Sequence, residues 1–227
     1  MRKVPEMKSE FFPAILKLVT ECEEDMDVWI QTLEDEQGTG SDAYSTGVNA
    51  IARLSVQMKE KFTIDACSSL VESCLSQADW KVRQAGFIAF GLIAEACREW
   101  FKQNLDQVMS KVCSGIQEDH VRVKYARLTA LSLIIAQLSP QVQYKFHQEL
   151  VPALLQITKN EKEPKVKTQA LSCLYYFVKG LIQEDSMDLV EDKKSSDILH
   201  AYSDDLSAQL IENLTLSVDA GHEPLQE

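Results

Sequence analysis

The chain has 227 residues, a formal net charge of −12 and an apolar fraction of 45%. That apolar share supports a real core and excludes a globally disordered chain. The acidic balance excludes bulk binding to nucleic acid, whose phosphates demand the opposite sign.

Eight glycines and six prolines are few for this length, which disfavours a turn-rich β fold and favours long helices with short connections. Glu10 to Cys22 reads as a first helix and Asp42 to Lys61 as its partner, together one unit over 10–61. Between them, Glu21 to Glu36 holds eight acidic residues and no basic one. Such a run reads first as a solvated loop. It also embeds Met26, Val28 and Trp29, and acids around an exposed aromatic would make a docking strip for a basic partner. The strip comprises Glu21, Glu23, Glu24, Asp25, Asp27, Trp29, Glu34, Asp35 and Glu36. Gly38 to Ser41 (GTGS) lacks the lysine of a phosphate loop and reads as a turn, closing an acidic loop over 21–41.

Apolar residues then recur at three- and four-residue steps through paired helices. Ile64 to Gln77 precedes Val82 to Arg98, Phe101 to Gln117 precedes Val121 to Leu138, and Tyr144 to Lys159 precedes Lys165 to Gln183. The first helix of each pair is amphipathic and the second is apolar on nearly every side, as suits a helix covered by neighbours on two flanks. Val82, Val123 and Val166 each open a second helix, about 40 residues apart, which is the HEAT and armadillo period. An irregular all-α bundle would also give amphipathic helices, but not this repeated start. Asp79 and Asp119 stand where a carboxylate can cap the following helix. Pro164, at a first-turn position, marks the start of the last second helix, with Glu161 or Glu163 as its cap.

The expected fold is therefore all-α: an α-α superhelix of about five HEAT pairs, excerpted from a longer solenoid. Its clear units are 64–99, 101–138 and 144–183. Gln183 to Ser196 mixes charges and serines and reads, over 184–196, as a mobile loop. A last helix follows over 197–218, with a kink near Ser203.

The sequence offers little chemistry. Cys22, Cys67, Cys74, Cys97, Cys113 and Cys173 form no Cys-x-x-Cys pair and read as reduced, buried thiols of a cytosolic or nuclear protein. His120, His147, His200 and His222 are scattered over different units. No metal, cofactor or catalytic constellation emerges, and His147 reads as an inter-helix or surface hydrogen-bonding residue.

Four segments carry a more specific signal: DMDVW ending at Trp29, DWKVRQAG opening at Asp79, VRVKYA at Val121 to Ala126, and KFHQELVPALLQ at Lys145 to Gln156. In this order they resemble the importin-β (karyopherin-β) nuclear transport receptors, and within them the importin-5 or karyopherin-β3 branch. The correspondence runs from about Met26 to Lys179. It implies a non-enzymatic middle segment that binds cargo nuclear localisation signals on its concave face and shuttles between cytoplasm and nucleus. Its partners would be cargo proteins with basic signals, Ran in its GTP state (gripped mainly by repeats outside this segment) and nucleoporins, with no nucleic acid and no membrane. The resemblance also implies a ladder of side chains, one per repeat, which falls on Ala52, Glu95, Gln137 and Tyr176. Acidic residues are usual at 52 and 137 and asparagine at 176, so only Glu95 keeps the expected polar identity. The implied signal site is a weakened one, anchored by Glu95 with neutral contacts from Gln137 and Tyr176. Asp79, Arg83, Asp119 and Lys124 match the structural ladder that stitches HEAT repeats together. The competing reading is a HEAT scaffold subunit of a phosphatase or chromatin-associated complex.

Overall fold

The computed structural model describes residues 10–31, 42–58, 60–115, 120–182 and 189–220, and within the last stretch the side chains of 194–209 and 211. These residues form eleven helices that divide between two compact units, Met1–Leu138 and Ser139–Glu227. Each unit is described by itself.

In the first unit, α1 (Phe12–Thr20) packs on α3 (Ala43–Gln57), with the short α2 (Met26–Gln31) between them in chain order. Helix α4 (Glu60–Leu75) packs on α5 (Trp80–Leu92), and α6 (Arg98–Gln103) with α7 (Leu105–Cys113) leads to α8 (Val121–Gln137). The helices headed by Val82 and Val123 are neighbours, because α5 lies between α3 and α8. This explains why the second helices are apolar all round: Val123, Ala126, Leu128, Leu131, Ile134 and Ile135 of α8 are all 0% exposed. A lone pair could not bury that much surface, and stacking on a neighbouring pair does.

The second unit pairs α9 (Gln141–Asn160) with α10 (Pro164–Ile182), and α11 (Leu189–Ala220) packs on both. Helix α10 starts at the expected proline. The Glu163 side chain accepts from the Lys165 amide at 3.4 Å, and Glu161 accepts from the Lys162 and Glu163 amides at 2.9 and 3.2 Å. Glu163 therefore caps α10, while Glu161 fixes the connection just before it.

Several boundaries differ from expectation. Helix α4 begins at Glu60 and takes in Lys61, which was expected to belong to the preceding helix. The expected helix from Val82 to Arg98 stops at Leu92, and residues 93–97 form a turn. The expected helix from Phe101 to Gln117 is two helices. It starts at Arg98 and breaks at Asn104, whose side-chain amide donates to the Trp100 carbonyl at 2.8 Å and so competes with the helical ladder. Residues 189–196, expected within a mobile loop, are the first turns of α11, which runs to Ala220 without interruption at Ser203. Serine hydroxyls there bond back to the helix itself: Ser203 to the His200 carbonyl at 3.1 Å and Ser207 to that of Ser203 at 2.7 Å. Residues 184–188 lie outside the described residues.

Candidate functional site

A groove of about 490 Å³ opens where α3, α5 and α8 end. Its depth begins with a close helix approach. A β-carbon built on Gly91 would lie 2.7 Å from the Ala130 α-carbon, so only glycine lets α5 and α8 meet there. One residue past Gly91 the helix stops. The Ala94 amide bonds to the Gly91 carbonyl at 3.1 Å and the Cys97 amide to that of Ile93 at 2.9 Å, closing a turn that carries Glu95 outward. The far side of the turn is fixed from α4, where Glu60 accepts the Trp100 amide at 2.6 Å. Ala52, Arg53, Val56 and Gln57 of α3 form one wall; Leu92 and Glu95 follow Gly91; Leu133 and Gln137 of α8 form the other wall.

Three of the four expected ladder residues, Ala52, Glu95 and Gln137, therefore border one groove. Glu95 does so from a turn rather than from the helix on which it was expected. Its backbone is freed from the i→i+4 ladder, and its side chain is exposed. Tyr176 is a half-buried residue of α10 in the second unit. Its ring meets Tyr175 edge-on at 5.2 Å, and the Lys179 ammonium stands 5.7 and 5.9 Å from the two rings. Sequence reasoning missed Arg53 and Val56. Val56 stands four residues beyond Ala52, on the same helix face, and that spacing was the available signal.

The acidic strip behaves differently from an open docking loop. Glu21, Glu23, Glu24, Asp25 and Asp27 are exposed, while Glu34, Asp35 and Glu36 lie outside the described residues. Asp25 starts α2 by accepting the Asp27 and Val28 amides at 2.9 and 3.2 Å. That places Trp29 inward, 5% exposed, so the aromatic expected on the surface is part of the core. Its ring meets Tyr125 edge-on at 5.4 Å, and the Arg122 guanidinium lies 4.9 Å from it and 5.2 Å from Trp80. Trp80 in turn stacks on His120 at 4.4 Å. Arg122 donates to the Glu23 carbonyl, and Lys81 pairs with Glu24. Burial pulls the Arg122 pKa down from the usual arginine range, opposed by nearby Cys22, Tyr44 and Glu23. Burial likewise pushes the Tyr44 hydroxyl up to about 12.

Of the structural ladder, Asp79 caps α5 by accepting the Lys81 amide at 2.9 Å. Arg83 donates to the Gln77 and Ala78 carbonyls at 3.0 and 2.7 Å, closing the turn between α4 and α5. Asp119 lies outside the described residues, and Lys124 is a half-buried residue of α8. Arg127, which the sequence did not single out, lies 4.3 Å over the Phe87 ring. It donates to the Lys111 and Val112 carbonyls at 3.3 and 3.2 Å and to that of Ser114. It thereby satisfies the end of α7, where carbonyls lack helical partners.

In the second unit His147 is an inter-helix residue. Its Nδ1 lies 3.1 Å from the Tyr202 hydroxyl, which also donates to the His147 carbonyl at 3.2 Å. The cysteines are thiols rather than disulfides, and all but the half-buried Cys113 are buried. Burial pushes the Cys67 and Cys97 thiols up to about 12, which makes them inert at neutral pH. Among the described residues no group of three His, Cys, Asp or Glu could hold a metal ion, and no helix is long and apolar enough to cross a membrane.

No family model matches the chain. Importin subunit beta-3 of Saccharomyces cerevisiae is 23% identical over 189 residues, which span 83% of this chain and 16% of that protein. Two solved structures are also similar. Kap121p bound to Pho4p gives a TM-score of 0.74 at 22% identity over 92% of this chain and 20% of that one. Kap121p bound to RanGTP gives 0.67 at 20% identity, over 93% and 24%. The structural likeness is one of fold, the HEAT-repeat solenoid of the karyopherins, and this chain spans about a fifth of their length.

Proposed function

We propose that this chain, a HEAT-repeat segment of importin-β type, is a section of a nuclear transport receptor, and that the groove at the ends of α3, α5 and α8 receives an extended segment of cargo. The observation that carries this reading is the convergence of Ala52, Glu95 and Gln137 on one groove, at the positions where the family resemblance puts its cargo ladder. The role is binding rather than catalysis: the groove offers side chains for hydrogen bonds, ion pairs and apolar contact, and no nucleophile paired with a base. In the same reading the receptor shuttles between cytoplasm and nucleus. It takes cargo through nuclear localisation signals, gives it up to Ran in its GTP state, and meets nucleoporins on the way. Kap121p, the similar receptor, has been solved with Pho4p, with Nup53p and with RanGTP.

A photo-crosslinking residue at Val56 of the full chain, exposed to a panel of nuclear-protein peptides of varied charge, tests the site. Capture of a subset of peptides at this position, competed by the same peptides unlabelled, is the expected outcome. Capture that is equally efficient from a crosslinker on the outer helix α4 would end the assignment of this groove.

A further inference from the structure

We propose that this groove prefers a segment of mixed charge, with an apolar side chain set between an acidic and a basic residue, over a uniformly lysine-rich one. The inference rests on the cargo-groove reading and gives it a ligand class. Among the described residues the groove carries one charge of each sign, Arg53 on the α3 wall and Glu95 on the turn after α5. A lysine drawn to Glu95 belongs, in a lysine-rich signal, to a run of lysines that must also pass Arg53. Like charges across an interface suppress the wrong partner, so the attraction of Glu95 is largely cancelled. A glutamate placed near Arg53 turns that repulsion into a second ion pair.

Much of the remaining lining is apolar. Val56 is 55% exposed, and Leu92 and Leu133 line the groove beside it. An apolar side chain laid there gains more affinity than a solvent-exposed ion pair on the rim, which is weak and screened by salt. The neutral Gln137 fits the same picture, since an amide can serve as donor or acceptor to a peptide backbone of any composition. Apolar contact would then hold the segment, while Arg53 and Glu95 choose its direction and partners.

The test is a fluorescence-anisotropy titration of the full chain with three labelled peptides of equal length. One is lysine-rich; the second has a central leucine between glutamates and lysines; the third has the same centre with glutamines at the charged positions. The mixed-charge peptide is expected to bind tightest, about tenfold ahead of the lysine-rich one at moderate salt. Arg53→Glu should weaken the mixed peptide roughly fivefold and strengthen the lysine-rich one, while Val56→Asp should abolish binding of all three. Both positions are exposed, so the variants keep the fold, and circular dichroism checks that they do. If the lysine-rich peptide binds tightest, or Arg53→Glu leaves the ranking unchanged, the charge preference is wrong and the cargo groove stands. If none of the three binds and no peptide is captured at Val56, the groove reading fails together with it.

Discussion

The Arg122 guanidinium of α8 lies 4.9 Å from the Trp29 ring of α2, although 93 positions separate them in the chain. A six-residue helix cannot hold itself together in water. The segment from Glu21 to Gln31 is instead fastened to α8 through a buried cation and an aromatic ring, with the Lys81–Glu24 pair outside. Trp29→Ala should therefore cost about 3 kcal/mol and open residues 21–31 to proteolysis, while Trp29→Phe should keep most of the protection. Limited proteolysis with mass mapping reads this directly. Unchanged protection in the alanine variant would mean that the ring contributes nothing to holding the strap.

Gly91 supplies a second prediction. Gly91→Ala gains helix propensity worth about 1 kcal/mol or less, but its methyl would meet the Ala130 α-carbon at 2.7 Å and the Leu133 side chain at 3.1 Å. Backbone cannot rotate aside, so overpacking wins, at about 1–3 kcal/mol. A lower midpoint in thermal unfolding is expected. Adding Ala130→Gly should not restore it, because it relieves only the 3.2 Å contact with the Ala130 methyl and leaves the 2.7 Å contact with the α-carbon.

Arg127 closes the end of α7 with three carbonyl contacts from one guanidinium. Arg127→Met keeps the stem over Phe87 and removes the donors, so it should destabilise by about 2 kcal/mol. Arg127→Lys should recover only part of that: an ammonium keeps donors for the carbonyls that Nη1 serves, but it loses the flat guanidinium face laid over Phe87. Urea titrations of the two variants beside the parent check the order.

The pH response of α11 follows from His147. Burial lowers its pKa and the Lys194 charge lowers it further, while its Nδ1 lies against the Tyr202 hydroxyl. An undocked histidine binds its proton near pH ~6.5, above the docked value. The undocked state therefore takes up protons first as pH falls, and the docking of α11 on α9 is complete above that pH and weakens below it. Protection from hydrogen exchange over residues 194–209, corrected for the intrinsic pH dependence of amide exchange, should fall as the pH drops below about 6.5. His147→Gln should remove the dependence, and Lys194→Met should move its midpoint upward. Protection that falls equally in His147→Gln would assign the effect to another group.

Much of this was legible in the chain. Val82, Val123 and Val166 head second helices as their spacing required, because burial on two sides demands apolar residues all round a helix and leaves a pattern that can be counted. Asp79 and Pro164 marked helix starts correctly, since capping depends on a few adjacent residues. For His147 the sequence left a surface and an inter-helix role open, and the contact with Tyr202 of α11 decides for the second. Glu95 was misplaced by one element: nothing in FGLIAEAC forbids a continued helix, and the stop comes from the turn into α6 and the Glu60 carboxylate reaching across from α4.

Sequence alone settled what depends on local periodicity, namely helices, their pairing and the deep apolar seam they share, because a chain must repeat its apolar spacing to bury it. Only the tertiary structure decided which side chains meet. Trp29 left the surface for the core beside Arg122, and Arg53 came to stand on the same groove as Glu95. Arg127 was drawn to the end of a helix that its own sequence neighbourhood does not contain. Those outcomes depend on how rods from distant stretches of chain lie against one another, a three-dimensional register that no window of neighbouring residues encodes.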